Sequence, residues 1–115
     1  MCSSDLTCLV CHRSNEAELK ARVEQIQDIT WKLQLRACDL VAKAHNECGE
    51  AMAAGATDEQ LAPIRAKIRS SQLRSDFVAS SNGMGFHAPQ EAARILADAV
   101  DLAQEARLEL AKLKR

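Results

Sequence analysis

The sequence predicts an all-α chain, and three observations carry that prediction. Composition comes first: of 115 residues, 47% are hydrophobic but only 3% aromatic, with one Trp, two Phe and no Tyr. Alanine is abundant, a profile that suits long helices packed side by side. Second, two long stretches place apolar or small residues at alternating steps of four and three. Third, helix start and stop signals separate those stretches: Gly55, then Thr57 with Gln60, then Pro89. At this length the chain is at most one ordinary domain.

The first long helix is expected from Ser14 or Asn15, where Asn15 with Glu18 three residues on forms a capping pair and Glu16 and Glu18 suit the positive end of the helix dipole. Leu19, Val23, Ile26, Thr30, Leu33, Ala37, Leu40, Ala44 and Ala51 then form a heptad seam, which Glu47 interrupts once. Gly55 is a suitable left-handed C-cap, so the helix covers about residues 15–54 and about 60 Å at 1.5 Å per residue. Thr57 and Gln60 restart a helix with a capping box, expected over 58–80. Pro63 inside it predicts a kink or a short first turn. Leu61, Ile64 and Ile68 mark its buried side, and Leu73, Phe77 and Val78 are expected to continue the strip. After the loop 81–89, Pro89 suits the first turn of a last helix over about 89–114, with Glu91 near its N-terminus. Its seam is Ala92, Leu96, Ala99, Ala103, Ala106, Leu110 and Leu113, close-packed because it is rich in Ala.

Charge excludes some partners. Fifteen Lys and Arg against 16 Asp and Glu leave a formal net charge of −1, so nothing calls for nucleic acid or an anionic membrane. No apolar run is long enough to span a bilayer, and residues 1–6 have neither the basic region nor the apolar core of an export signal.

The chemistry concentrates in Cys8-Leu9-Val10-Cys11-His12, a CxxCH motif. Two thiols at this spacing can form thioethers to the two vinyl groups of one haem, and the adjoining imidazole can coordinate its iron. The competing readings are a chance pair of cysteines, half a zinc site and a thioredoxin-like redox pair. Zinc needs further ligands, and no second CxxC or paired-His motif supplies them. A redox pair needs a strand–helix–strand setting that this helical sequence lacks. A second iron ligand is open among His87, Met84, His45 and residues outside the chain. His87 lies in the loop before Pro89 and is the better candidate; His45 reads as an ordinary polar helix position, and Met84 as a thioether ligand or a gap-filler. Cys38 and Cys48, about 15 Å apart on one helix, are too far apart for a disulfide and read as small buried hydrophobes. Trp31 and the phenylalanines suit a haem face or the core equally.

The run Cys8–His12, then Glu18-Leu19-Lys20-Ala21-Arg22-Val23-Glu24-Gln25-Ile26-Gln27-Asp28, then Gly55-Ala56-Thr57-Asp58-Glu59-Gln60-Leu61, then Met84-Gly85-Phe86-His87-Ala88-Pro89-Gln90-Glu91-Ala92, resembles the C-terminal region of ammonia-forming cytochrome c nitrite reductase, the pentahaem cytochrome c-552 family. Order and separations agree along residues 7–115. The resemblance implies a periplasmic enzyme that passes electrons along closely packed haems to one catalytic haem and reduces nitrite to ammonia. Cys8 and Cys11 would carry the last haem c, with His12 its proximal ligand. His87 would be the distal ligand of the preceding haem, attached upstream. The long helices would form a homodimer interface, and a redox partner cytochrome or quinol dehydrogenase would deliver electrons.

The departures define what is expected of the chain itself. It has one CxxCH where the family has several, lacks the Lys-ligated catalytic haem motif, and has no Tyr, so the family's active-site Tyr is not here. Neither the active-site Arg and His nor the calcium ligands find a match. The expectation is a fragment of the enzyme: a haem c attachment segment over residues 7–14, then the long-helix region 15–115, without catalytic residues and with poor solubility alone. Residues 1–6 are expected to be a non-native leader, because Cys2 to Leu6 back-translate to the end of a common sequencing-library adapter. The alternative is a self-contained monohaem electron carrier using His12 with Met84 or His87. A haem-free helical interaction protein is a further rival.

Overall fold

The computed structural model describes residues 16–81 and 88–114. The segments 1–6 and 7–14, the cap residue Asn15, and Met84, Phe86 and His87 lie outside the described residues. Three helices account for the rest: α1 (Glu16–Ala53), α2 (Asp58–Ser80) and α3 (Pro89–Leu113). There is no strand among the described residues, so the fold is all-α.

Local chemistry fixes the joints. Gly55 has φ +101°, and Ala56 N–H donates to Ala51 O while Gly55 N–H donates to Met52 O. These two bonds make a Schellman motif, which satisfies carbonyls that the end of α1 leaves unpaired. Ala56 packs on the core beside Ala51 and so adds the apolar contact that usually accompanies the motif. Two residues later the capping box closes: Gln60 N–H donates to Thr57 Oγ1 (3.2 Å) and Thr57 N–H to Gln60 Oε1 (2.9 Å). α2 runs unbroken through Pro63, and no short first turn separates from it. Pro89 occupies the first turn of α3, where its missing N–H has no intrahelical partner to lose.

The helices form an elongated bundle of 60 × 17 × 17 Å, its long axis matching the ~57 Å expected of 38 helical residues. α3 is the central element, since α1 and α2 each pack more on it than on one another. Pairings along the core give the directions. Ala37 shares one core cluster with Ala92, Leu96 and Ala99; Leu40 and Val41 share another with Ala103; Ala44, Cys48 and Ala51 share a third with Ala106 and Leu110. α1 and α3 are therefore parallel, with α2 returning between them: Leu61, Ile64 and Ile68 pack at the Ala51 end, Val78 at the Ala37 end.

The seams of α1 and α3 face inward as their periodicity requires. The interruption at Glu47 is filled by charge: its carboxylate accepts from Arg107 Nε at 2.7 Å, both side chains about 70% covered. Along α2 the expected strip is corrected. Leu73 and Phe77 are 62% and 52% exposed, whereas Ser71 and Ser75 are buried. Steps of three and four from Ile68 lead to 71, 75 and 78, and geometry, not side-chain hydrophobicity, decides which residues face α1 and α3. Each buried hydroxyl finds a partner, as burial demands. Ser71 Oγ donates to Ala99 O (2.5 Å), and Gln34 Nε2 donates to both Ser75 Oγ (2.8 Å) and Ser75 O (2.9 Å).

Candidate functional site

Cys8, Cys11, His12 and His87 lie outside the described residues, and the described helices fix where their flanks are held. α1 opens at Glu16, four positions beyond His12. Ser81 and Ala88 bracket the segment carrying Met84 and His87. Gln27, Thr30 and Trp31 of α1 line a cavity with Val78, Ala79 and Ser81, so the end of α2 lies level with residues 27–31. Ala92 packs at Ala37, placing the start of α3 at that same end. The described residues that flank the two segments, Glu16 on one side and Ser81 and Ala88 on the other, thus lie toward the same end of the bundle.

Beyond that level no other described helix accompanies α1 over Glu16–Ile26, 11 residues or about 16 Å. In this overhang Leu19 is buried and Val23 and Ile26 are half-buried, so the apolar seam continues past the last turn of α2. Glu16 and Glu18 place two carboxylates in the first turn, where the helix dipole favours negative charge.

The remaining sequence candidates divide clearly. His45 is exposed, its Nε2 3.1 Å from Gln72 Oε1, a polar helix position as its sequence context indicates. Cys48 is buried in the core and Cys38 is not: Cys38 is exposed, with Gln34 Nε2 3.7 Å and Ser75 Oγ 3.6 Å from its sulfur. The reading of Cys38 as a buried hydrophobe is corrected, because it sits one position off the seam residue Ala37, on the side that faces α2. Both thiols are free. Trp31 and Phe77 are 58% and 52% exposed and so belong to no core among the described residues. Gln34 and the Ser71 and Ser75 pair escape a reading based on apolar residues; the unbroken three–four spacing on α2 is the signal that finds the serines.

The Glu109 carboxylate, hydrogen-bonded and opposite in charge, holds the Lys67 ammonium above the usual amine range, with Glu105 adding to it. Arg94 hydrogen-bonds Glu91 and holds that carboxyl below its ordinary value. Among the described residues no three His, Cys, Asp or Glu side chains gather to hold a metal ion. No described helix is long and apolar enough to cross a membrane.

The donor set at residues 8–12 fits haem c by its chemistry: two thiols for the vinyl carbons and a nitrogen ligand next to them in sequence. The whole sequence, residues 1–115, matches the family described as Cytochrome c552. The chain belongs to the cytochrome c552 family. Its similarity to curated relatives has the same reach: 40% identity over 109 residues to cytochrome c-552 of Porphyromonas gingivalis, 43% to that of Bacteroides fragilis and 38% to that of Aliarcobacter butzleri. Each alignment covers 95% of this chain and 22% of the relative, so the chain spans about a fifth of the length of the proteins it matches. Membership in the cytochrome c552 family makes it a c-type cytochrome sequence, a class that holds haem c covalently.

Proposed function

We propose that the chain is the C-terminal portion of a periplasmic ammonia-forming cytochrome c nitrite reductase, contributing an electron-relay haem site and not the catalytic one. The observation that carries this reading is the CxxCH motif at residues 8–12 within a family match that spans the chain. Haem c bound there supplies one-electron redox chemistry. Cys8 and Cys11 hold it through thioethers, and the His12 imidazole is the proximal iron ligand. His87 is the distal ligand of a different haem, whose cysteines belong to the remainder of the enzyme. The calcium sites and the residues that bind nitrite also belong there.

The bundle's part in this reading is mechanical. α3 packs on α1 and α2 along its length, so the segment bearing His87 joins the packed end of the bundle and the segment bearing His12 joins α1 about 16 Å further along the same axis. A pair of haem sites for fast electron transfer needs such fixed spacing, and helices hold it better than loops. The long helices also join two copies in a homodimer, and a partner cytochrome or quinol dehydrogenase reduces the assembly.

Haem staining after denaturing electrophoresis tests the attachment. Haem stays with the unsubstituted 115-residue chain and is lost from it in Cys8→Ala/Cys11→Ala. For the enzyme as a whole, nitrite consumption with stoichiometric ammonia is expected; a protein that holds haem but reduces no nitrite returns the reading to a monohaem electron carrier.

A further inference from the structure

The seam between α1 and α3 is lined by side chains too small to fix how far one helix slides along the other. Ala37 and Ala44 of α1 and Ala92, Ala99, Ala103 and Ala106 of α3 are wholly buried. A slip of one heptad, about 10 Å, sets alanine largely against alanine again. Polar contacts have to choose the register. Glu47 and Arg107 join α1 to α3 toward the Gly55 end, through two long side chains that can follow a slip. At the other end the link runs through α2, on two successive turns: Gln34 donates to Ser75, and Ser71 donates to Ala99 O.

Gln34 is the strict member of this relay. It is buried among small and apolar residues, and its Nε2 reaches a main-chain acceptor, Ser75 O, at 2.9 Å as well as Ser75 Oγ at 2.8 Å. A hydroxyl can turn about χ1, but a helix carbonyl moves only with its helix, so the amide meets Ser75 O in one axial position of α2. Any slip leaves buried polar groups unpaired, a cost that alanines do not impose. Fixing register is the best-attested use of a buried polar group.

We propose that Gln34 is a positioning residue: its bonds to Ser75 lock α1 against α2 and so set the spacing between the CxxCH segment, to which α1 leads back, and the His87 segment, to which α2 leads on. This rests on the reading of His12 and His87 as ligands of different haems. Ser75 lies six residues, about 9 Å, before Ser81, so a shift at Ser75 is carried through continuous helix to the stem of the His87 segment.

The test uses the haem-loaded, full-length enzyme and the electron paramagnetic resonance signals of its ferric haems. The low-spin component lost in His87→Ala marks the haem that His87 ligates. Gln34→Met, similar in shape but without a donor, is expected to split that component into more than one form while the other signals hold. Ser75→Ala keeps the bond to Ser75 O and is expected to leave the component intact. Gln34→Met/Ser75→Ala leaves no hydroxyl unpaired, so its unfolding midpoint should stay near that of the unsubstituted enzyme while the split remains; if Gln34→Met does not fold, this variant decides alone. An unchanged component in both Gln34→Met variants overturns the proposal. So does a change spread over every haem, or one as large in Ser75→Ala, since either marks general loosening. If His87→Ala loses no component, the ligand reading falls first and the proposal with it.

Discussion

The two halves of α1 carry the same pattern and meet different fates. From Ala37 to Ala51 the seam is walled by α3 and α2, and Ala37 and Ala44 are wholly buried. From Leu19 to Thr30 the seam has the same spacing and better apolar residues, yet most of it lies beyond the end of α2. Periodicity therefore specifies which face of a helix is covered and says nothing about what covers it. The half walled by α2 and α3 holds the bundle together, and the half beyond the end of α2 leads to the CxxCH segment.

The largest effect that would break this contrast is a cavity in the walled half. Leu61 is fully buried, and Leu61→Ala is expected to cost about 2–5 kcal/mol in urea unfolding of the chain. Val23→Ala, in the overhang, is expected to cost less than about 1 kcal/mol. Equal losses would mean that the two halves share one core.

A smaller effect lies at the boundary between the halves. Gln34 is buried there and donates twice to Ser75. Gln34→Ala removes those bonds and leaves the Ser75 hydroxyl in a buried site, an expected loss of about 1–3 kcal/mol in the same experiment. No change would show that the boundary is wet and that α1 and α2 are not joined at this point.

The smallest effects are electrostatic, and their signs differ. Lys67 is held above the usual amine range in the folded chain, so its contribution is fully present below the unfolded value and disappears as pH rises through the folded one. Glu91 is held below its ordinary value, so its contribution is present above the unfolded value and is lost as pH falls through the folded one. Lys67→Met should flatten the alkaline limb of a stability–pH profile, and Glu91→Gln the acid limb. Both groups are solvent-accessible, so 1 M salt should shrink both effects.

The sequence exposes the joints of this fold because they rest on local chemistry. Gly55 takes a left-handed conformation, Thr57 and Gln60 exchange hydrogen bonds, and Pro89 fills a first turn; each depends on neighbours within five residues. What escapes it depends on residues far along the chain. Glu47 interrupts the α1 seam until Arg107, sixty positions later, pairs with it. Leu73 and Phe77 outrank Ser71 and Ser75 in hydrophobicity, but the serines lie on the face turned to α3 and α1, where small side chains allow close packing and Ala99 O and Gln34 complete their hydrogen bonds. Cys38 shows the same limit at the scale of one residue: one step from the seam, it is exposed beside α2. For the proposed haem site the order reverses. Its residues are read from a five-residue motif, Cys8 to His12, whose chemistry is written in the sequence alone.

The most direct test of that chemistry is the pyridine haemochrome spectrum of the 115-residue chain after acidic acetone extraction. Covalent haem at Cys8 and Cys11 predicts a c-type spectrum, shifted because both vinyl groups are saturated, with the haem remaining on the polypeptide. A colourless polypeptide with free haem in the acetone phase would contradict it, and with it the assignment of Cys8, Cys11 and His12.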